Sequence, residues 1–270
     1  MLYNDNIFQK DFSDFYSRFE SYRWNSFFYY KTDLFILKAM RKFILNSLII
    51  LFAFSSSASI AQVRYGVKGG FQFSGVYNHI LTNPDRLVKS GMVGGFHGGV
   101  FMEMPIKGHL YFHPNLLFTM KGYKNPGWPD LETHAYYLEM PLNVIYKLPL
   151  GNRNLLLGVG PYLGYGLGGK WKISPNPDRD FYLGMEGNLA FKNESSSEDF
   201  NSVIYGSTLV YGKPLDFGGN VLVGYEISRH VSLQLTGQMG LINLAPKIEG
   251  AKTINELRNY GFGFSLGYLL

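Results

Sequence analysis

The sequence predicts an all-β chain, an eight-stranded antiparallel up-and-down β-barrel that crosses a membrane. Three observations predict it. Eight segments after Gln62 alternate apolar and polar residues in steps of two, the side-chain period of a strand. Most run about 10 to 15 residues, close to the tilted strand length that a bilayer demands. Their connections alternate short and long, as they do when brief turns lie on one side of a membrane and larger loops on the other. No window after Gln62 approaches the roughly 18 apolar residues of a spanning helix.

What precedes these segments differs in composition. All 32 glycines and all 12 prolines follow residue 61, whereas residues 1–39 are rich in aromatics and show neither helical nor strand periodicity. Met40-Arg41-Lys42 opens a short apolar run from Phe43 to Phe54, followed by small residues ending in Ser59-Ile60-Ala61. A charged start, a short apolar centre and small residues before a cut make a secretory signal peptide over 40–61, cleaved after Ala61. Read as a spanning helix, the run falls short, with about 12 residues where roughly 20 are needed. Residues 1–39 read as an upstream extension from a start codon placed too early. The alternative is a genuine cytoplasmic or membrane-surface segment before an uncleaved anchor. The barrel domain is 62–270.

The strands are expected near 64–76, 92–104, 109–123, 135–148, 154–170, 216–227, 231–243 and 259–270. In Leu138–Leu148 the even positions are apolar, and Glu139, Asn143 and Lys147 share the other face. Val231–Leu241 repeats the pattern with odd positions apolar. The fifth segment turns Gly158, Gly160, Gly164, Gly166 and Gly168 inward, leaving room for Phe101, Tyr111 and Tyr123. Residues 105–108, 149–153 and 228–230 are tight periplasmic turns, whereas 77–91, 124–134, 171–215 and 244–258 are long extracellular loops. Tyr65, Tyr146, Tyr225 and Tyr268 at the turn side, with Phe73, Tyr136, Tyr165, Phe217 and Tyr260 at the loop side, form the two aromatic girdles of a membrane barrel. A soluble sheet with core aromatics is the competing reading, disfavoured by the signal peptide and the outward apolar faces.

Eight strands enclose a lumen that their own side chains can fill. The charges placed inward by parity are Arg64, Lys68, Glu103, Lys121, Glu139, Lys147 and Glu226, expected to form a structural network because an unpaired buried charge is costly. Glu139 and Glu226 are expected to meet Arg64, Lys68 and Lys147 in the periplasmic half. An ion path and catalysis are the alternatives for the same residues.

Tyr137-Leu138-Glu139-Met140-Pro141-Leu142, then Gly158-Val159-Gly160-Pro161-Tyr162-Leu163-Gly164-Tyr165, then Gly224-Tyr225-Glu226 resemble the PorT-type outer-membrane β-barrel proteins of Bacteroidetes. The start at Gln62-Val63-Arg64-Tyr65-Gly66-Val67-Lys68-Gly69-Gly70 fits as well, so the resemblance covers essentially 62–270. It implies an outer-membrane barrel with a small lumen and a structural or secretion-associated envelope role, in organisms that export proteins by the type IX pathway. The implied surroundings are outer-membrane lipid, lipopolysaccharide, the barrel-assembly machinery and type IX components. One departure is Leu270, where such barrels usually end in an aromatic.

Other signals fail. With no cysteine in the chain, a disulfide framework, a lipoprotein anchor and a thiolate metal site are excluded. The net charge of +5 is spread over single residues, so no basic stripe is offered to nucleic acid. His109 and His113 stand about 13 Å apart on a strand and cannot share a metal. Gly164-x-Gly166-x-x-Gly169 matches a dinucleotide fingerprint, but no helix pattern follows it to receive a pyrophosphate. No cofactor or metal is expected, and no enzyme activity. Two alternatives stay open: a lipid A-modifying barrel using His97, His113, Glu103, Ser232 or Ser265, and adhesion through the long loop 171–215.

Overall fold

The computed structural model describes residues 63–80, 87–125, 131–174, 185–196, 199, 208–248 and 255–270. The expected extension 1–39 and signal peptide 40–61 lie outside the described residues. Eight long strands form the wall: β1 (Arg64–Ile80), β2 (Val93–Lys107), β3 (Leu110–Lys121), β4 (Leu131–Leu150), β5 (Arg153–Ile173), β6 (Leu215–Glu226), β7 (Val231–Gly240) and β8 (Asn255–Leu269). Each pairs antiparallel with its neighbours in sequence, and β1 pairs with β8 from Gly66↔Leu269 to Ile80↔Asn255. The sheet is therefore a closed ring, which leaves no edge to expose in hydrocarbon. All eight expected segments are strands.

Alternation sets the two faces. Along β1, Lys68, Gln72 and Ser74 are buried while Val67, Phe71 and Phe73 are exposed. The other strands repeat this, so the interior is polar and the outside apolar, the reverse of a soluble barrel. Such a surface is stable only in lipid. No helix among the described residues is long and apolar enough to cross a membrane, and the strands do the crossing.

The turns follow from local chemistry. Gly108 and Gly151 adopt φ of 58° and 62° at the first two tight turns, a region that costs side-chain-bearing residues energy. At the third, the Ser228 hydroxyl accepts from the backbone N–H groups of His230 and Val231 at 3.2 and 3.0 Å.

Three features depart from simple alternation. Between β4 and β5 the register slips, Tyr137 facing Gly166 and Tyr136 facing Gly168. Gly168 has φ 147°, and beyond this bulge the parity of β5 inverts, so that Trp171 points inward and is 1 % exposed. Second, Met185–Phe191 adds antiparallel to the upper end of β5, and Thr208–Gly212 lies parallel beside it. Within the expected loop 171–215, Met185 and Glu186 pair with Ile173 and Lys172 and so lengthen the wall. Third, Tyr260 does not join the girdle. Its ring lies across Gly75, stacks on Tyr77 at 4.3 Å and donates to the Ser90 carbonyl at 3.1 Å, leaving it 8 % exposed.

Candidate functional site in the lumen

At the turn end of the barrel the charges form a chain. The Arg64 guanidinium pairs with Glu103, Lys147 Nζ lies 2.7 Å from Glu103 and 2.6 Å from Glu226, and Asn154 donates to the second oxygen of Glu226 at 2.6 Å. Lys147 also sits over the Tyr111 ring at 4.6 Å. The parity of β4 and β6 aims Lys147 and Glu226 inward, and on β5 between them Lys147 faces the buried Leu156.

A second centre lies nearer the loop end. Lys121 pairs with Glu139, and Asp216 lies 3.5 Å from the same ammonium. Asp216 Oδ2 also accepts from Tyr162 at 3.2 Å and from Asn259 at 2.9 Å, and Lys121 stands 4.6 Å from the Tyr162 ring centroid. Glu139 and Asp216 both face Gly164 in the register. The missing side chain there lets the two carboxylates converge on one lysine.

This arrangement corrects one expectation. Glu139 meets Lys121, not Arg64, Lys68 or Lys147, because it lies eight residues along β4 from Lys147, opposite Gly164 where Lys147 is opposite Leu156. Of the seven expected charges, Arg64, Glu103, Lys147 and Glu226 come together, Lys121 and Glu139 form a separate pair, and Lys68 stands apart with Gln234 Oε1 at 3.0 Å. Asp216 was missed, although it shares the parity of Glu226 on one strand. Nor do Phe101, Tyr111 and Tyr123 fill the gaps at the glycines of β5. Ile145 and Leu222 pack at Gly158, Phe191 covers Gly166, and Phe101 packs instead at Gly66.

An aromatic plug closes the loop end. Trp171, Tyr137, Tyr211, Leu189, Val76 and Ala135 form one buried cluster, with Phe191 and Tyr123 against it. Tyr211, carried in by Thr208–Gly212, donates to Asn259 Oδ1 at 3.0 Å. Since Asn259 donates in turn to Asp216, the plug is hydrogen-bonded to the Lys121 centre.

Mid-wall, three prolines interrupt the ladders. Pairing skips from Pro141↔Tyr162 to Val144↔Val159 between β4 and β5, and from Pro114↔Leu142 to Leu117↔Glu139 between β3 and β4. No water is available in hydrocarbon to satisfy stranded carbonyls. The Asn220 amide donates to Gly160 O at 2.6 Å, beside Pro161, and the Asn115 amide to His113 O at 2.9 Å, beside Pro114. Inward asparagines thus add side-chain hydrogen bonds where the prolines interrupt the ladders.

His97 and Ser265 meet across β1. Both face Gly70 in the register, and His97 Nε2 lies 2.7 Å from Ser265 Oγ. A base within reach of a hydroxyl is the start of a nucleophilic site. Here His97 Nδ1 finds no partner among the described residues, so no third group orients the ring. The pair borders a cavity of about 40 Å³, room for about three water molecules. His113 instead stacks on Phe101 at 4.7 Å, while His109 lies at the first turn against Tyr146. Gly164, Gly166 and Gly169 sit within β5 with strand on both sides.

Comparison with curated proteins gives no match. Among solved structures, the attachment invasion locus protein Ail of Yersinia pestis aligns with 77 % of this chain and 98 % of its own at 8 % identity, TM-score 0.38. Neisserial surface protein A aligns over 76 % and 96 % at 12 % identity, TM-score 0.38, and OprG of Pseudomonas aeruginosa over 77 % and 95 % at 10 % identity, TM-score 0.37. A family model described as the outer membrane protein beta-barrel domain matches residues 54–245. With its closed ring, apolar exterior and charged, plugged interior, the chain belongs to that outer membrane protein beta-barrel domain family and resides in the outer membrane.

Proposed function

We propose that this protein is a PorT-like envelope barrel of a Bacteroidetes bacterium, with a structural or secretion-associated role exercised by its surfaces and not by its lumen. The observation that carries the reading is the Lys121 centre. Tyr137–Leu142 and Gly158–Tyr165, the two stretches that resemble the PorT type, are register neighbours, with Tyr137 opposite Gly166, Glu139 opposite Gly164 and Pro141 opposite Tyr162. Two of the residues that carry the resemblance, Glu139 and Tyr162, therefore belong to the Lys121 centre. In this reading Arg64, Lys68, Glu103, Lys121, Glu139, Lys147 and Glu226 are structural, residues 40–61 are a cleaved signal, and the assembly machinery and lipopolysaccharide are the protein's surroundings. Catalysis is disfavoured by the geometry of His97 and Ser265, a pair without an orienting acid in a space too small for an acyl chain.

Co-purification of the detergent-solubilised protein tests the role. Type IX components retained with it, and an export defect on deletion, support the secretion-associated reading. A changed lipid A mass spectrum on deletion, with one of His97 or Ser265 indispensable, overturns it in favour of an enzyme. Loss of surface attachment on trimming 186–202, with export intact, overturns it in favour of an adhesin. N-terminal sequencing of the membrane protein should begin near Gln62, and a mature chain retaining residues 1–39 removes the targeting argument.

A further inference from the structure

The three tight turns carry one cation each and no carboxylate. Residues 105–110 hold Lys107, 149–154 hold Arg153 and 227–231 hold Arg229, with no aspartate or glutamate in any of them. The nearby lumen carboxylates, Glu103 and Glu226, are engaged by Arg64, Lys147 and Asn154. None of the three turn cations makes an ion pair among the described residues, although Lys107 and Arg229 are exposed and Arg153 is partly so. The loop end is built differently: Lys172 has Glu132 at 3.6 Å, Arg258 has Glu256 at 3.1 Å, and Lys192 pairs with Asp199.

Register fixes where these cations point. Cross-strand partners share a face of the sheet, and the partner of Lys107 is Leu110 while that of Arg153 is Leu150. Both leucines are exposed on the outer side. Leu110 stands opposite Tyr146, and Leu150 continues the outward row of Tyr146 and Leu148. Lys107 would point inward by the parity of Phe101 and Glu103, and the slip between Pro105 and Lys107 brings it round to this side. At the third turn the exposed Ile227 lies midway between Tyr225 and Arg229. Each cation thus has an exposed aliphatic neighbour, at or just beyond a turn-side tyrosine.

This is the chemistry of a headgroup boundary. The leucine or isoleucine stays with the acyl chains, the tyrosine ring takes the interface, and the long cationic side chain reaches the phosphates. The turns close β2–β3, β4–β5 and β6–β7, so the cations are spread around the ring. Lipid surrounds the ring on every side, whereas a protein docked against one flank reaches one turn. A zwitterionic headgroup offsets its phosphate with its own ammonium, but an anionic headgroup leaves that charge for the turns to meet. We propose that Lys107, Arg153 and Arg229 bind the phosphates of anionic phospholipids in the periplasm-facing leaflet and hold the turn end at that surface.

The test is native mass spectrometry of the purified protein in detergent micelles that contain equal amounts of phosphatidylglycerol and phosphatidylcholine. A cation beside an anionic headgroup favours it about fivefold, so phosphatidylglycerol should be retained about fivefold over phosphatidylcholine. The preference should fall to near parity in the triple variant Lys107→Gln, Arg153→Gln, Arg229→Gln. It should persist in the loop-end variant Lys172→Gln, Lys192→Gln, Arg258→Gln. Equal retention of the two lipids by the unsubstituted protein, an undiminished preference in the turn variant, or loss of preference in the loop-end variant overturns the proposal. A periplasmic protein retained by the unsubstituted barrel and lost in the turn variant, with no lipid preference, overturns it in favour of a protein-docking rim. If the triple variant does not assemble, the three single variants decide: a lowered preference in each supports the site, and an unchanged preference in all three overturns it.

Discussion

Lys147 joins two carboxylates at the turn end of the barrel. It is the only cation touching Glu226 among the described residues, and it shares Glu103 with Arg64. Replacing it by Met strands a buried carboxylate, and removal of one partner from a buried pair costs about 3–5 kcal/mol. Arg64→Met should cost far less, because its side chain is 41 % exposed and water screens what the pair gains. Urea titration of the micelle-bound barrel checks both, and equal losses would mean that the turn end is fully hydrated. In the loop region, Lys192 Nζ at 2.5 Å and the Ser196 N–H at 3.0 Å hold the Asp199 carboxyl below the usual carboxylate range. A depressed folded value means that the contact helps at neutral pH and is lost as pH falls through that value. Lys192→Met should return Asp199 toward the ordinary range, as read by carboxyl NMR titration.

At the scale of elements, β5 decides how the mouth is closed. A side chain at Gly166 would meet the Phe191 ring, 2.5 Å from the position of its first carbon. Gly166→Val should therefore expel Phe191 and release Met185–Phe191 and Thr208–Gly212, while the ring of eight strands persists. Limited proteolysis should cut the variant between 174 and 215 at least tenfold faster, an estimate of ordinary local opening, with the heat-resistant gel mobility of the barrel unchanged. Alternation along β5 was legible as far as Gly166, since a two-residue period needs only local sequence. Past that point Gly168 and its bulge reverse the alternation and place Trp171 inward. Nothing local marks a bulge among many glycines, because its position is fixed by pairing with β4. For the same reason the faces of Glu139 and Lys121 could be read but their partnership could not. It depends on the stagger of strands around the ring. The Asn220 contact was invisible because the carbonyl it bonds belongs to a residue 60 positions away.

For the whole molecule, a wall of eight strands, with a plug at one end and ion pairs at the other among the described residues, is too narrow for a wide aqueous channel. Planar-bilayer recordings of the purified protein should show no stable large conductance, and steady nanosiemens steps would require a wider assembly. The outer face, from Phe71 at 73 % to Leu163 at 40 % exposure, makes lipid the default neighbour.

The seam between β1 and β8 joins the two ends of the domain through fifteen consecutive residue pairs. Its formation must come last, since every intervening hairpin has to exist before the ends can be brought together, and contacts so distant in sequence make folding slow. A chain halted before Asn255 has nothing to offer β1, whose N–H and C=O groups would then face hydrocarbon with no acceptor or donor. Insertion is accordingly all or nothing: the chain can gather at the membrane surface in any order, but it crosses only once the fifteen residues Asn255–Leu269 have been delivered.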